Sequence, residues 1–385
     1  MFKKLSLNVL LLIGSVIVSI CVAEAGLWLL HIPPFPDRIN DNLMPDPEAG
    51  FVFRPNSVSK HSSWEFDTAI RINNIGARVD YDVSPQTRIF AFLLGDSFAQ
   101  SCGVNSKDML SSRIESTLRS GPVLNLGVGS YSTYQELVIY KRQIEYFSAK
   151  PKFAILVFYA GNDYSDNVRY LRHFEKNGQQ LQTASNGYLV EPGVTIKRTA
   201  KDLIRISGGR EMERKPISAF YPPKGKESRF WGWSKLYNIW AWLGYSPPKD
   251  CRLPIGIPGL FDRKYNLADS VAWEDTEKAL ADFVRTSRAN HIIPVIVVMP
   301  SKYQLMPELL SAAGCDLSNL DAESSLRIVD KYSRSNGVRY VDLLDVFRNV
   351  PPSSRSGIFY KTDSHLTAYG YSVAASAIAR LIGDR

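Results

Sequence analysis

Residues 88–97 read Arg-Ile-Phe-Ala-Phe-Leu-Leu-Gly-Asp-Ser. An unbroken apolar run, Ile89–Leu94, ends in a glycine, an acid and a serine. A short run without polar alternation has the pattern of a strand buried on both faces. Gly95 permits a tight turn after it. Ser97 then stands at the C-terminal end of the strand, where a helix begins, and open α/β sheets place their ligands at that edge.

Outward from this stretch the pattern recurs. Val123–Leu126, Phe153–Tyr159, Ile292–Met299 and Val338–Leu343 are further strand candidates. Lys107–Arg119, Tyr134–Phe147, Glu274–Arg288 and Ala322–Ser335 lie between them with helical character, and Leu366–Ile382 closes the chain as a helix. Strands alternating with helices specify the α/β class, with a parallel sheet covered on both faces. Residues 166–265 break this rhythm with Gly178, Gly187, Gly193, Pro222-Pro223 and Pro247-Pro248, and read as one long insertion. Within it, Phe230–Trp242 holds Trp231, Trp233, Trp240 and Trp242. These aromatics suit local core packing first, and a sugar- or acyl-binding wall or a membrane contact second. Residues 33–85 read as a small β-rich lead-in, which leaves 86–385 for the main domain and 1–32 for an N-terminal segment.

In that segment Lys3 and Lys4 precede an apolar stretch from Leu5 to Ala23, which Gly26–Ile32 continues. This is the length of a transmembrane anchor, and the lysines orient it with the rest of the chain exported. The expected location is the inner membrane, with the main domain on the extracytoplasmic side. The alternative is a secreted or periplasmic protein, because Ala23-Glu24-Ala25 resembles a signal cleavage site.

Composition narrows the partners. The chain is 45% hydrophobic and 22% charged, which excludes wholesale disorder. Its net charge of +8 suits a surface facing anionic lipid or polysaccharide. No run of basic residues marks a nucleic-acid site. The four cysteines, Cys21, Cys102, Cys251 and Cys315, form no Cys-x-x-Cys pair, so neither a zinc site nor another metal is expected. Cys251 and Cys315 stand open as a disulfide or as two thiols.

Three more pieces carry chemistry. Asn125-Leu126-Gly127-Val128-Gly129-Ser130 follows the second strand, Gly161-Asn162-Asp163 follows the third, and Asp363-Ser364-His365 precedes the last helix. All belong at the edge that holds Ser97. Of the five histidines, His365 has an acid two residues before it. In an extended loop those positions face one side, so Asp363 can orient the imidazole that takes a proton from Ser97. Backbone amides of Ser97 and of Gly129 or Ser130, with the Asn162 side chain, supply an oxyanion hole. Asp96 and Asp163 support these groups from behind. A Gly-x-Ser-x-Ala elbow at Gly95–Ala99 would suggest an α/β-hydrolase, but that fold puts its acid and histidine on separate loops.

In this joint arrangement the chain resembles the SGNH/GDSL hydrolases. Ser97 matches the first block of that family, Asn162 the third, and Asp363 and His365 the last. The resemblance implies a three-layer α/β/α, flavodoxin-like fold with a parallel five-stranded sheet. It implies a serine esterase working through an acyl-enzyme without a cofactor. O-acyl esters of a cell-envelope carbohydrate, acetyl esters first, are the implied substrates. A polysaccharide O-acetyltransferase using the same triad, or a catalytically quiet carbohydrate-binding export component, are the alternatives. Membrane association through the N-terminal helix and a place beside envelope polysaccharide machinery accompany them. Two departures matter. The glycine usual five residues after the second-block asparagine is Ser130 here, with Gly129 one position early. The Asp-x-His spacing is also one shorter than usual, and resembles that of exported proteins that acetylate polysaccharides such as alginate.

Overall fold

The computed structural model describes residues 2–33, 38–39, 42–46, 48–168, 263, 266–312 and 314–383. It also describes strand backbone within 182–216, and residues 234–236 and 239. Helix α1 (Phe2–Leu29) is followed by short strands: β1 (Arg38–Ile39), β2 (Leu43–Asp46), β3 (Gly50–Phe53), β4 (Val58–Ser63) and β5 (Phe66–Arg71). β2 and β3 form a hairpin, and β1, β4 and β5 form a three-stranded antiparallel sheet. Alternation puts Phe51, Phe53, Ile70 and Ile72 on inner faces, where with Ala49 they close over Val128 and Tyr131. The N-terminal strands are thereby packed onto the loop that follows the second strand of the main sheet. Arg78, almost fully buried, donates to the carbonyls of Gln100, Ser101 and Val104 at 2.6–2.7 Å. It fixes the turn just beyond Ser97.

The chain then runs β6 (Ala91–Gly95), α2 (Ser97–Gln100), α3 (Leu110–Leu118), β7 (Val123–Asn125), α4 (Thr133–Tyr146) and β8 (Phe153–Tyr159). Through the insertion come β9 (Gln182–Thr183), β10 (Leu189–Val190), β11 (Val194–Arg198), β12 (Asp202–Ser207) and β13 (Arg210–Pro216). β11, β12 and β13 form an antiparallel sheet. After it come α5 (Val271–Ala289), β14 (Ile293–Met299), α6 (Ser324–Ser335), β15 (Arg339–Asp342) and α7 (Ala368–Gly383).

The five-stranded sheet has the order β15-β14-β8-β6-β7, and every neighbouring pair is parallel. Counted along the chain that is 2-1-3-4-5, the flavodoxin-like order. The register is fixed by pairs such as Leu93↔Asn125, Leu93↔Ile155 and Val297↔Val157. Every residue of β6 is buried, as are those of β8 up to Phe158. Each fully buried leucine or phenylalanine contributes about 1.5–3 kcal/mol, which makes slippage of these strands costly.

Right-handed crossovers place the helices. The step from β6 to β7 runs one way along the sheet, and all later steps run the other, so α3 covers one face and α4, α5 and α6 the opposite one. α7 packs beside α3, and α4 beside α5. The α4–α5 contact carries a 2.8 Å bond between the Tyr140 and Ser287 hydroxyls and a Lys141–Asp282 ion pair at 2.7 Å. The expected strands and helices are present with ends shifted by a few residues. The expected helix over 107–119 is divided: residues 106–108 form a 3-10 turn before α3 starts at Leu110.

α1 contains a 19-residue stretch, Leu11–Leu29, long and apolar enough to cross a membrane. Near its end the Glu24 carboxylate accepts from the Lys235 and Leu236 amides at 2.8 and 3.1 Å and from the Ser234 hydroxyl. Lys235 donates to the Ile32 carbonyl at 2.7 Å, and its ammonium sits 4.7 Å from the Trp28 ring centroid. His31 pairs with Asp67 at 2.8 Å. Cys21 and Cys102 are free thiols, whereas Cys315 is disulfide-bonded. Cys251 and the four tryptophans of the aromatic segment lie outside the described residues.

Candidate active site

The order of the sheet reverses between β6 and β8, and a crevice at such a switch point is where ligands bind. Ser97 follows β6 and Asn162 follows β8. Two glycines make the turn at Ser97 feasible. Gly95 has φ 144°, and a Cβ there would stand 2.8 Å from the Val157 carbonyl oxygen. A Cβ on Gly127 would stand 2.2 Å from the Gln100 nitrogen, so the second-block loop passes directly against α2.

Half-buried Ser97 opens α2. Its Oγ lies 2.8 Å from His365 Nε2, and His365 Nδ1 lies 2.6 Å from Asp363 Oδ1. The same carboxylate oxygen accepts the His365 backbone N–H at 2.8 Å. The spacing of two residues therefore lets one oxygen cap its own turn and hold the ring. With the proton on Nδ1, the ring donates to Asp363 and accepts from the Ser97 hydroxyl. The Phe98 ring stands 5.1 Å from the imidazole and 4.2 Å from Tyr159, which gives the histidine an apolar wall.

The donors expected around an oxyanion are placed unequally. Gly129 sits against Ser97: a Cβ built on it would be 3.7 Å from Ser97 Cβ. Its N–H donates to Gln100 Oε1 at 2.8 Å. Ser130, left-handed at φ 67°, is exposed. Asn162 Nδ2 donates to Asp166 Oδ2 at 2.8 Å, which leaves its second N–H for another acceptor. Asp96 is buried behind Ser97, with Oδ1 accepting the Phe98 N–H at 2.9 Å and Oδ2 lying 3.4 Å from Ser97 Oγ. Burial pushes its pKa up to about 6, against the pull of the Phe98 bond and the His365 charge. Asp163 accepts the Tyr159 N–H at 2.8 Å, beneath the Asn162 turn. Burial, with Asp96 and Glu136 adding repulsion, raises it well above the carboxylate range. Glu136 is raised in the same way, by burial and then by Asp96 and Asp166.

Comparison with known proteins bears on this geometry. Residues 260–385 match the family model described as "SGNH hydrolase-like domain, acetyltransferase AlgX". The similarity to that domain spans the last third of the chain. The matched stretch includes Asp363 and His365, while Ser97, Gly129 and Asn162 precede it. No curated protein matches the chain. Among solved structures, a GDSL-family lipolytic protein from Desulfitobacterium hafniense DCB-2 is 12% identical over 76% of this chain and 98% of its own, with a TM-score of 0.37. A lipase/acylhydrolase from Enterococcus faecalis is 10% identical over 77% and 95%, with a TM-score of 0.38.

The site also has neighbours that sequence reasoning missed. Gln100, Asp166, Glu65 and Lys302 bond directly to the predicted site residues or to the loop that carries them. No local motif announces any of them, because each acts on residues distant in the chain.

Proposed function

We propose that this chain is a serine esterase that cleaves O-acyl esters, acetyl esters first, of a cell-envelope carbohydrate. The carrying observation is the continuous line from Ser97 through His365 to Asp363. His365 removes the hydroxyl proton as Ser97 attacks the ester carbonyl, and Asp363 faces the resulting imidazolium. The Ser97 amide, the free N–H of Asn162 and the Gly129 amide, once turned from Gln100, hold the oxyanion. The intermediate collapses to an acyl-enzyme, and His365 returns the proton to the departing alcohol. Water, deprotonated by the same ring, then attacks the acyl carbon and frees Ser97.

A sugar hydroxyl in place of that water would make the product a new ester. This transferase reading is favoured by the description of the matched family as an acetyltransferase. The ratio of acetylated oligosaccharide to free acetate, measured with one donor, separates the two. A fluorophosphonate should label the wild type and not Ser97→Ala. Equal labelling of both would remove Ser97 from the reaction, and labelling of neither would favour a binding module.

For location, the reading is a domain held outside the cytoplasmic membrane by an uncleaved α1. The contacts of Glu24 with residues 234–236 support it, because this glutamate lies within Ala23-Glu24-Ala25, the stretch that resembles a cleavage site.

A further inference from the structure

The loop that carries Asp363 and His365 is held from two sides by opposite charges. Glu65 stands in the turn between β4 and β5, 298 residues before Asp363. Its carboxylate accepts the Lys361 N–H at 2.6 Å, the Thr362 N–H at 2.6 Å, the Thr362 hydroxyl at 2.6 Å and the Asp363 N–H at 3.3 Å. Lys302, just beyond β14, donates to the carbonyls of Tyr360 and Lys361 at 2.6 and 2.7 Å. One partner thus takes the loop's N–H groups and the other its C=O groups. The Tyr360 hydroxyl adds a 2.7 Å bond to the Gly103 carbonyl. The Tyr360 N–H closes the loop on the His365 carbonyl at 3.1 Å.

We propose that Glu65 and Lys302 are positioning residues for the acid–histidine pair, a two-sided clamp that sets where the imidazole stands relative to Ser97. The inference rests on the esterase reading and adds to it. A loop of irregular backbone has no ladder to hold its N–H and C=O groups, so charged side chains do so here. Bonds to an ionised acceptor are about twice as strong as neutral ones. The Asp363 amide is itself one of the clamped groups, so release at Glu65 acts on the acid that orients the ring. A displacement of about 1 Å at a reacting group costs on the order of 100-fold in rate, whereas substrate binding need not change.

The turn carrying Glu65 is also tied to the N-terminal helix. Two residues on, Asp67 pairs with His31 and Lys60, each at 2.8 Å. The clamp therefore hangs from an element that is itself braced against the end of α1.

The test is kinetic. Glu65→Gln keeps the shape but turns an NH2 group toward N–H donors. It should lower kcat for an aryl acetate by about 10- to 100-fold, with KM within about twofold of wild type. Glu65→Asp, which keeps the charge on a shorter arm, should recover part of that loss. Lys302→Gln should show the same split, and the double variant should lose less than the product of the single losses. In wild type, the amides of residues 361–363 should exchange slowly with solvent.

Full activity in Glu65→Gln would overturn the clamp, as would a loss confined to KM. Rapid exchange at 361–363 would overturn it as well, and needs no variant to fold. The esterase reading is judged separately, by fluorophosphonate labelling of wild type against Ser97→Ala.

Discussion

Replacing Asp363 with asparagine separates its charge from its shape. The amide oxygen can occupy the place of Oδ1 and still accept from the His365 ring and backbone, which the carboxylate holds at 2.6 and 2.8 Å. What disappears is the negative charge facing the imidazolium as the proton leaves Ser97. With charge centres about 4 Å apart and an effective dielectric near 20, that attraction is about 4 kcal/mol. By the rate relation it corresponds to about a 10³-fold fall in kcat. KM should hold nearly steady, because the imidazolium forms only on the way to the transition state. Initial rates with an aryl acetate give both constants, and the labelling rate with a fluorophosphonate reports nucleophile activation alone. Asp96→Asn is the control, since Asp96 also attracts the His365 charge from behind Ser97. An Asp363→Asn enzyme within about fivefold of wild type, set against about a 10³-fold loss in Asp96→Asn, would refute the assignment and make Asp96 the orienting acid.

Other outcomes follow from the same geometry. Asn162→Ala should lower kcat by about 100-fold, the usual cost of one oxyanion donor, and initial rates will show whether KM stays put. Gly127→Ala places a Cβ 2.2 Å from the Gln100 nitrogen, so the soluble yield or the melting temperature should fall sharply; a variant as stable as wild type would contradict the close passage against α2. Thermal stability should rise when pH is lowered from about 7.5 to about 5, by about 1 kcal/mol for each of Asp96 and Asp342. Burial lifts both to about 6, so the folded protein keeps protons that the unfolded chain has lost, and that advantage fades as pH climbs through 6. Carboxylates shifted downward, such as Asp46, where burial is outweighed by bonds from Arg142 and two backbone amides, withdraw their support only near pH 4 and below. Melting scans across that range decide it. With α1 uncleaved, the protein should stay with the membrane pellet after an alkaline carbonate wash, and release into the supernatant would favour a cleaved signal.

Strands buried on both faces announce themselves, because nothing polar interrupts them. Phe153–Tyr159 was readable to the residue for that reason, and Ile293–Met299 nearly so. The three side chains that meet at Ser97 were readable too, since a serine at a strand end and an acid two residues from a histidine are local signatures. Their supports were not. Glu65, Lys302, Gln100 and Arg78 look like ordinary polar residues until folding brings each to a backbone group far along the chain. The antiparallel sheet of Val194–Pro216 was hidden for another reason. Its strands are rich in charged residues, as in Arg210–Pro216, so they lack the apolar contrast on which such readings depend.

The buried Arg78 guanidinium has a practical corollary for anyone reshaping this molecule. A truncated gene beginning at residue 86 would look complete, with every strand of the main sheet and Ser97, Asp363 and His365 all encoded. It would nevertheless omit the cation that grips the turn after Ser97, and the glutamate and phenylalanine backbone on which two other loops rest. Portability of the main sheet and its site, whether by recombination or in the laboratory, thus requires the first strands to travel with it.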